Sequence, residues 1–271
     1  MADEIMVGFS YPFMQRALVV GLLVSLCAAL LGTSLVLKRY SMIGDGLSHV
    51  GYGAFAIAAA AGIAPLAFAI PVVIASAFLL LYITRRGSMG GDSAIAILSS
   101  SALAIGMIVL ELNDVTIDIN SYMFGSILAL TESDIVLSVV CSVIVCLTFL
   151  LLYHRIFAVT FDESFASATG IRSDVYNSFI SVLSAVVIVV GMRLMGALLI
   201  SSLMIFPALS SMRVCRGFRS VTVCSAVISA VSFTTGLLLS YFADIPTGAS
   251  IVAVDLAIFL IFSIAGKVRS R

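Results

Sequence analysis

Long apolar runs broken by short polar stretches set the pattern of this chain. A helix needs about 17–25 such residues to cross a bilayer. Nine runs qualify: 16–37, 45–63, 65–84, 94–112, 134–153, 174–192, 195–212, 219–242 and 247–266. Eight spans result if a tightly joined pair, such as 174–192 and 195–212, does not cross fully. The breaks alternate in character. Lys38-Arg39, Arg85-Arg86, Arg155, Arg172, Arg213-Arg216-Arg219 and Lys267-Arg269-Arg271 fall at alternate ends. The opposite ends carry Gly62 to Pro65, the acidic stretch Glu111 to Asp118, and Asp244-Ile245-Pro246. Basic residues gather on the cytoplasmic side, so nine crossings put the N-terminus outside and the C-terminus inside. Arg193 breaks this pattern.

Two segments do not fit a span. Asn120 to Thr131 is too polar to cross and too apolar for a plain loop. It predicts a short interfacial or re-entrant helix, tolerated only where protein or water covers its backbone. Residues 157–172 lie on the cytoplasmic side. There Thr160-x-x-Glu163 reads as a capping box that opens a helix. Phe161, Phe165 and Ala168 share one apolar face, and Gly170 is placed to end it. Asp162 and Glu163 then stand at its positive N-terminal end.

Composition makes the class firm. Of 271 residues, 62% are hydrophobic and 10% charged, which excludes a soluble domain. The expected fold is all-α: a polytopic transmembrane bundle forming a single domain, 1–271. The formal net charge is zero, so the asymmetry lies in where charges fall. Five cysteines without CxxC spacing read as small buried hydrophobes. Asp3 and Glu4 before the first run have the wrong sign for a signal peptide. No G-x-x-x-x-G-K-[ST] motif occurs, so ATP hydrolysis would belong to another chain. No nucleophile–base constellation argues for a membrane enzyme.

The candidate chemistry sits at Gly44-Asp45-Gly46-Leu47-Ser48-His49. Asp45 and His49 share a helix face at i and i+4, at the start of an uncharged run. An ionisable residue inside a span costs roughly 2.5–3.5 kcal/mol on insertion scales and marks function by default. Both types ligate metals. A rise of about 1.5 Å per residue from Lys38-Arg39 puts His49 roughly 15 Å deep. The plain alternative is that Asp45 caps the helix and His49 bonds a neighbour. Two ligands are too few for a closed site, which suits a transit site that ions must leave. Asp255, inside the last run, is either a satisfied buried acid or a second polar station on a cation path. Glu111, Asp114 and Asp118 are either a solvated loop or a means of concentrating cations. His154 reads as interfacial, and Met192, Met195, Met204 and Met212 as packing. Pro207 should loosen the seventh span, as helices beside substrate pathways often are.

Four blocks resemble the membrane subunit of zinc/manganese-type ABC transporters. They are Ser41 to His49, Tyr122 to Ala129, Phe161-Asp162-Glu163-x-x-Ala166-x-x-x-Gly170, and Gly196 to Ala208 followed by Asp244 to Val252. The likeness covers nearly the whole chain. Gly46 departs from it where the family often has alanine, and Asp255 where an apolar residue is expected. The resemblance implies a type II ABC importer-like permease that moves a divalent metal, zinc or manganese with iron not set aside, by alternating access. It implies a homodimer, two cytoplasmic ABC ATPase subunits and an extracytoplasmic metal-binding protein as partners, in the lipid of the cytoplasmic membrane and without nucleic acid. Asp45 and His49 would hold the transported ion. Phe161, Asp162, Glu163, Phe165, Ala166 and Gly170 would form the coupling helix on the ATPase. No permanently bound cofactor is expected. A gradient-driven cation transporter or channel without an ATPase is the rival reading.

Overall fold

Short polar links turn the chain back on itself, and the runs between them are helices. The computed structural model describes residues 12–85, 90–114 and 131–269. Among these, the regular structure is helical throughout: α1 (Pro12–Leu37), α2 (Ile43–Ala60), α3 (Pro65–Arg85), α4 (Gly91–Leu112), α5 (Glu132–Leu151), α6 (Tyr153–Phe161), α7 (Glu163–Ala168), α8 (Ser173–Met195), α9 (Ala197–Val214), α10 (Phe218–Ala243) and α11 (Thr247–Arg269). Seven of them, α1, α3, α4, α5, α8, α10 and α11, are long and apolar enough to cross a membrane. The remaining two runs are α2 and α9, of 18 residues each. The first is diluted by Asp45, Ser48 and His49, the second interrupted by Pro207. Most of the segment expected as a re-entrant helix, residues 120–130, lies outside the described residues, as do Asp3, Glu4, Arg86, Asp118 and the block 122–129.

Helices α1 and α8 are the most enclosed of the long spans. Helix α1 packs against α5, α8, α9 and α10, and α8 against α2, α3 and α9. Helix α11 packs principally on α9 and α10. Lipid supplies no hydrophobic drive between helices, so close approach and interhelical hydrogen bonds hold them. Both devices are present. A Cβ at Gly106 of α4 would lie 2.7 Å from the Gly53 Cα of α2, and one at Gly32 of α1 would lie 2.0 Å from the Met204 carbonyl oxygen of α9. The hydroxyls of Ser229 and Ser225 on α10 donate to the carbonyls of Ser25 and Ala29 on α1, at 2.9 and 3.4 Å. All five cysteines are free thiols, as their spacing predicts.

At the acidic end two ion pairs fasten the start of α5. Arg16 of α1 reaches Glu132 at 3.4 Å, and Arg193 of α8 reaches Asp134 at 3.8 Å. The charge that breaks the basic-residue pattern is therefore matched by an acid from a neighbouring helix. The turn from α8 into α9 is made by Gly196 at φ +92°, a conformation that costs glycine little.

Candidate functional site

Helix α2 is almost wholly enclosed, yet Asp45 and His49 are not. Ile43, Gly44, Gly46, Leu47, Ser48 and Val50 around them are buried, while the side chains of Asp45 and His49 stay 38% and 30% exposed. Asp45 Oδ2 and His49 Nε2 lie 3.7 Å apart. That is too long for a hydrogen bond. It matches the roughly 3–4 Å expected between two donors that share one ion at about 2.0–2.2 Å. The helix starts at Ile43 with Met42 in the cap position and no capping side chain. Asp45 is therefore in the first turn and does not cap, so its carboxylate is free to act with His49.

The stretch from Lys38-Arg39 to His49 is not one helix. Residues 38–42 form a link with Arg39 at φ +62°, not a helical turn. His49 lies six positions after Ile43, about 9 Å along the helix. Glycines let α2 sit deep among its neighbours. A Cβ at Gly46 would lie 2.4 Å from Ile95 Cγ2, and one at Gly51 2.5 Å from Met192 Cε. Ile95 explains why position 46 holds glycine here. Met192, Met195 and Met204 are buried and serve as packing.

Among the described residues no three His, Cys, Asp or Glu side chains converge on a metal-sized site. Asp255 stands apart on α11. Its side chain is fully buried, and neither carboxylate oxygen has a hydrogen-bond partner. The approach of Gly236 to Ile251 sets the α10–α11 register that brings Ser232, one turn along, opposite Asp255. Ser232 Oγ is buried and unbonded too. Glu111 and Asp114 are exposed at the acidic end. His154 is exposed at the basic end with its ring edge-on to Tyr153 at 5.5 Å.

Residues 157–172 form two short helices where the sequence suggests one. Thr160 belongs to α6 and does not cap. Asp162 is extended (φ −147°) and its Oδ1 accepts from the Phe165 amide at 2.9 Å. Asp162 is the better cap because a hydroxyl inside α6 cannot reach past that break. Phe161 and Phe165 are 79% and 66% exposed, bare aromatic surface at the basic end. Ala166 is fully buried and seats α7 on the bundle. Ser173 Oγ donates to the Glu163 carbonyl at 3.2 Å. Gly170, at φ +87°, ends α7 as expected: its amide bonds Ser167 O and that of Ile171 bonds Ala166 O, at 3.1 and 3.0 Å, which is the Schellman pattern. Glu163 turns inward, to Lys38 and Asn177. Sequence reading missed those two partners because each comes from a distant stretch and carries no local motif.

Residues 10–266 match the ABC 3 transport family. The chain is 30% identical over 262 residues to the manganese import system permease protein ScaB of Streptococcus parasanguinis, covering 96% of this chain and 94% of that one. It is 28% identical over 269 residues to a Haemophilus influenzae membrane protein named for iron transport, covering 96% and 93%. Among solved structures it is similar to a chain of PsaBC from Streptococcus pneumoniae in complex with Fab. That likeness has a TM-score of 0.86 and 28% identity over 97% of this chain and 95% of the other.

Proposed function

Because this chain belongs to the ABC 3 transport family, we propose a specific working of a role that the family and its relatives already indicate. The chain is a permease subunit of an ATP-driven transporter for a transition metal ion. The site, the partners and the direction go beyond that role. Asp45 and His49 hold the ion in transit, and the 3.7 Å spacing of their donor atoms carries this assignment. Among the described residues each chain brings only these two donors together, both partly exposed, and an ionisable group left open to hydrocarbon is costly. A second copy related by a two-fold axis covers both pairs and supplies two carboxylates and two imidazoles.

Phe161 and Phe165 form the apolar anchor in a groove of the ATPase, as helix-in-groove recognition requires. ATP-driven closure of the ATPase pair moves α7, and the bundle alternates between outward- and inward-open states. The ion arrives from an extracytoplasmic binding protein, and the N-terminus lies outside with the C-terminus in the cytoplasm. Carboxylate with imidazole suits manganese, iron and zinc. Manganese is the first choice, since ScaB is named for its import.

The test is metal uptake into proteoliposomes holding permease, ATPase and binding protein. Uptake that needs ATP and falls to background in Asp45→Ala with His49→Ala supports the reading. Wild-type uptake by that double variant sinks the site, and uptake without ATP sinks the mechanism.

A further inference from the structure

Glu163 does not point outward beside Phe161 and Phe165. Its Oε2 lies 3.3 Å from Lys38 Nζ, and its Oε1 accepts from Asn177 Nδ2 at 2.9 Å. Lys38 Nζ also donates to Asn177 Oδ1. Three side chains from three elements thus close a ring: the link after α1, the first residue of α7, and α8. The ring is wet on one side only. The Lys38 side chain is 10% exposed and that of Glu163 49%. Beside it lies a cavity of about 90 Å³ whose wall mixes Leu35, Ile43 and Leu80 with Lys38, Glu163 and Asn177. A space of that size, with those polar groups in its wall, has room for several waters, each needing roughly 10–15 Å³. Water there can take over the bonds when the ring opens, so opening does not strand a buried charge.

Both inner arms of the ring lead to Asp45 and His49. Lys38 is followed at once by the link into α2, whose first turn holds Asp45. Asn177 sits near the start of α8. The same helix presents Met192 to Gly51, two residues beyond His49. The outer arm, Glu163, opens the helix that carries Phe165.

We infer that Lys38, Glu163 and Asn177 form a latch that converts displacement of α7 into displacement of α2, and with it of Asp45 and His49. The three are positioning residues and none touches the ion. This rests on the proposed function in one respect: α7 is the element the ATPase moves.

The test uses the full complex in proteoliposomes and reads metal ions transported per ATP hydrolysed, with ATPase co-purification in parallel. Lys38→Glu and Glu163→Lys each oppose like charges, and the double swap restores an opposite pair. The expected result is a fall of about tenfold in metal per ATP for each single variant, within the range of a typical coupling energy. ATP hydrolysis and co-purification persist, and the swap recovers most of the ratio. A ratio unchanged in the single variants overturns the latch, and so does a loss that the swap fails to recover. If a charge-reversed single does not assemble, Lys38→Met and Glu163→Gln give the same ratio without a reversed charge. Wild-type complex with no ATP-dependent uptake would instead sink the proposed function, so the two failures are told apart.

Discussion

Arg193 of α8 stands 3.8 Å from Asp134 of α5. Asp134 also completes a capping box with Thr131, its amide bonding Thr131 Oγ1 and its Oδ2 accepting the Thr131 amide, both at 3.2 Å. One carboxylate thus orders the start of a span and neutralises the arginine that departs from the basic-residue pattern. Arg193→Ala should cost about 1 kcal/mol, the upper range for a partly exposed pair. Thermal unfolding in detergent should show a midpoint lower by a few degrees, with Arg193→Lys closer to wild type. An unchanged midpoint in Arg193→Ala would mean the pair contributes nothing.

Gly53 and Gly106 allow α2 and α4 to touch backbone to backbone. Gly106→Val should force the helices apart and cost roughly 1–3 kcal/mol, as overpacking does. The same thermal measurement checks it. Because α2 carries Asp45 and His49, the proposed metal donors, metal affinity should fall alongside stability.

On the proposed site, His49→Ala removes one of the two donors that α2 offers and leaves the helix intact. Metal affinity by equilibrium dialysis should fall at least by the 10–100-fold that loss of a mere supporting group costs. Assembly with the ATPase should be unchanged. Retained affinity in this variant would remove His49 from the site.

Phe161→Glu with Phe165→Glu replaces two bare aromatics by charges at the basic end. Burial of each ring on a partner is worth roughly 1.5–3 kcal/mol, so ATPase co-purification should drop by about tenfold or more. Undiminished recovery of the ATPase would show that another surface docks it.

Asp255 is fully buried with both oxygens unbonded, and its helix packs on α9 and α10, neither of which carries Asp45 or His49. Asp255→Asn should leave the midpoint equal or raise it by about 1 kcal/mol equivalent, since an unpaired buried carboxyl is costly. Uptake should persist. Loss of uptake in a stable Asp255→Asn protein would place that carboxyl on the path after all.

Hydropathy and charge placement were enough to read an all-helical membrane bundle, because a chain in lipid must bond its own backbone and only long apolar helices do so there. The i, i+4 spacing likewise put Asp45 and His49 on one face, and Gly170 was legible as a helix stop. Local reading erred where a neighbouring residue competes for the same job. Asp162 took the cap from Thr160, and the link at 38–42 breaks the stretch that local reading counted as one helix from Lys38-Arg39 to His49.

Sequence alone therefore determined the class, the approximate spans and the acid–imidazole pair, since each follows from periodicity along one stretch. Only the tertiary structure decided that Arg193 is matched by Asp134, that Glu163 faces inward to Lys38 and Asn177, and that Asp255 sits away from Asp45 and His49. Those relationships join residues far apart in the chain. Their energies come from distance, burial and shared hydrogen bonds, which no local pattern encodes.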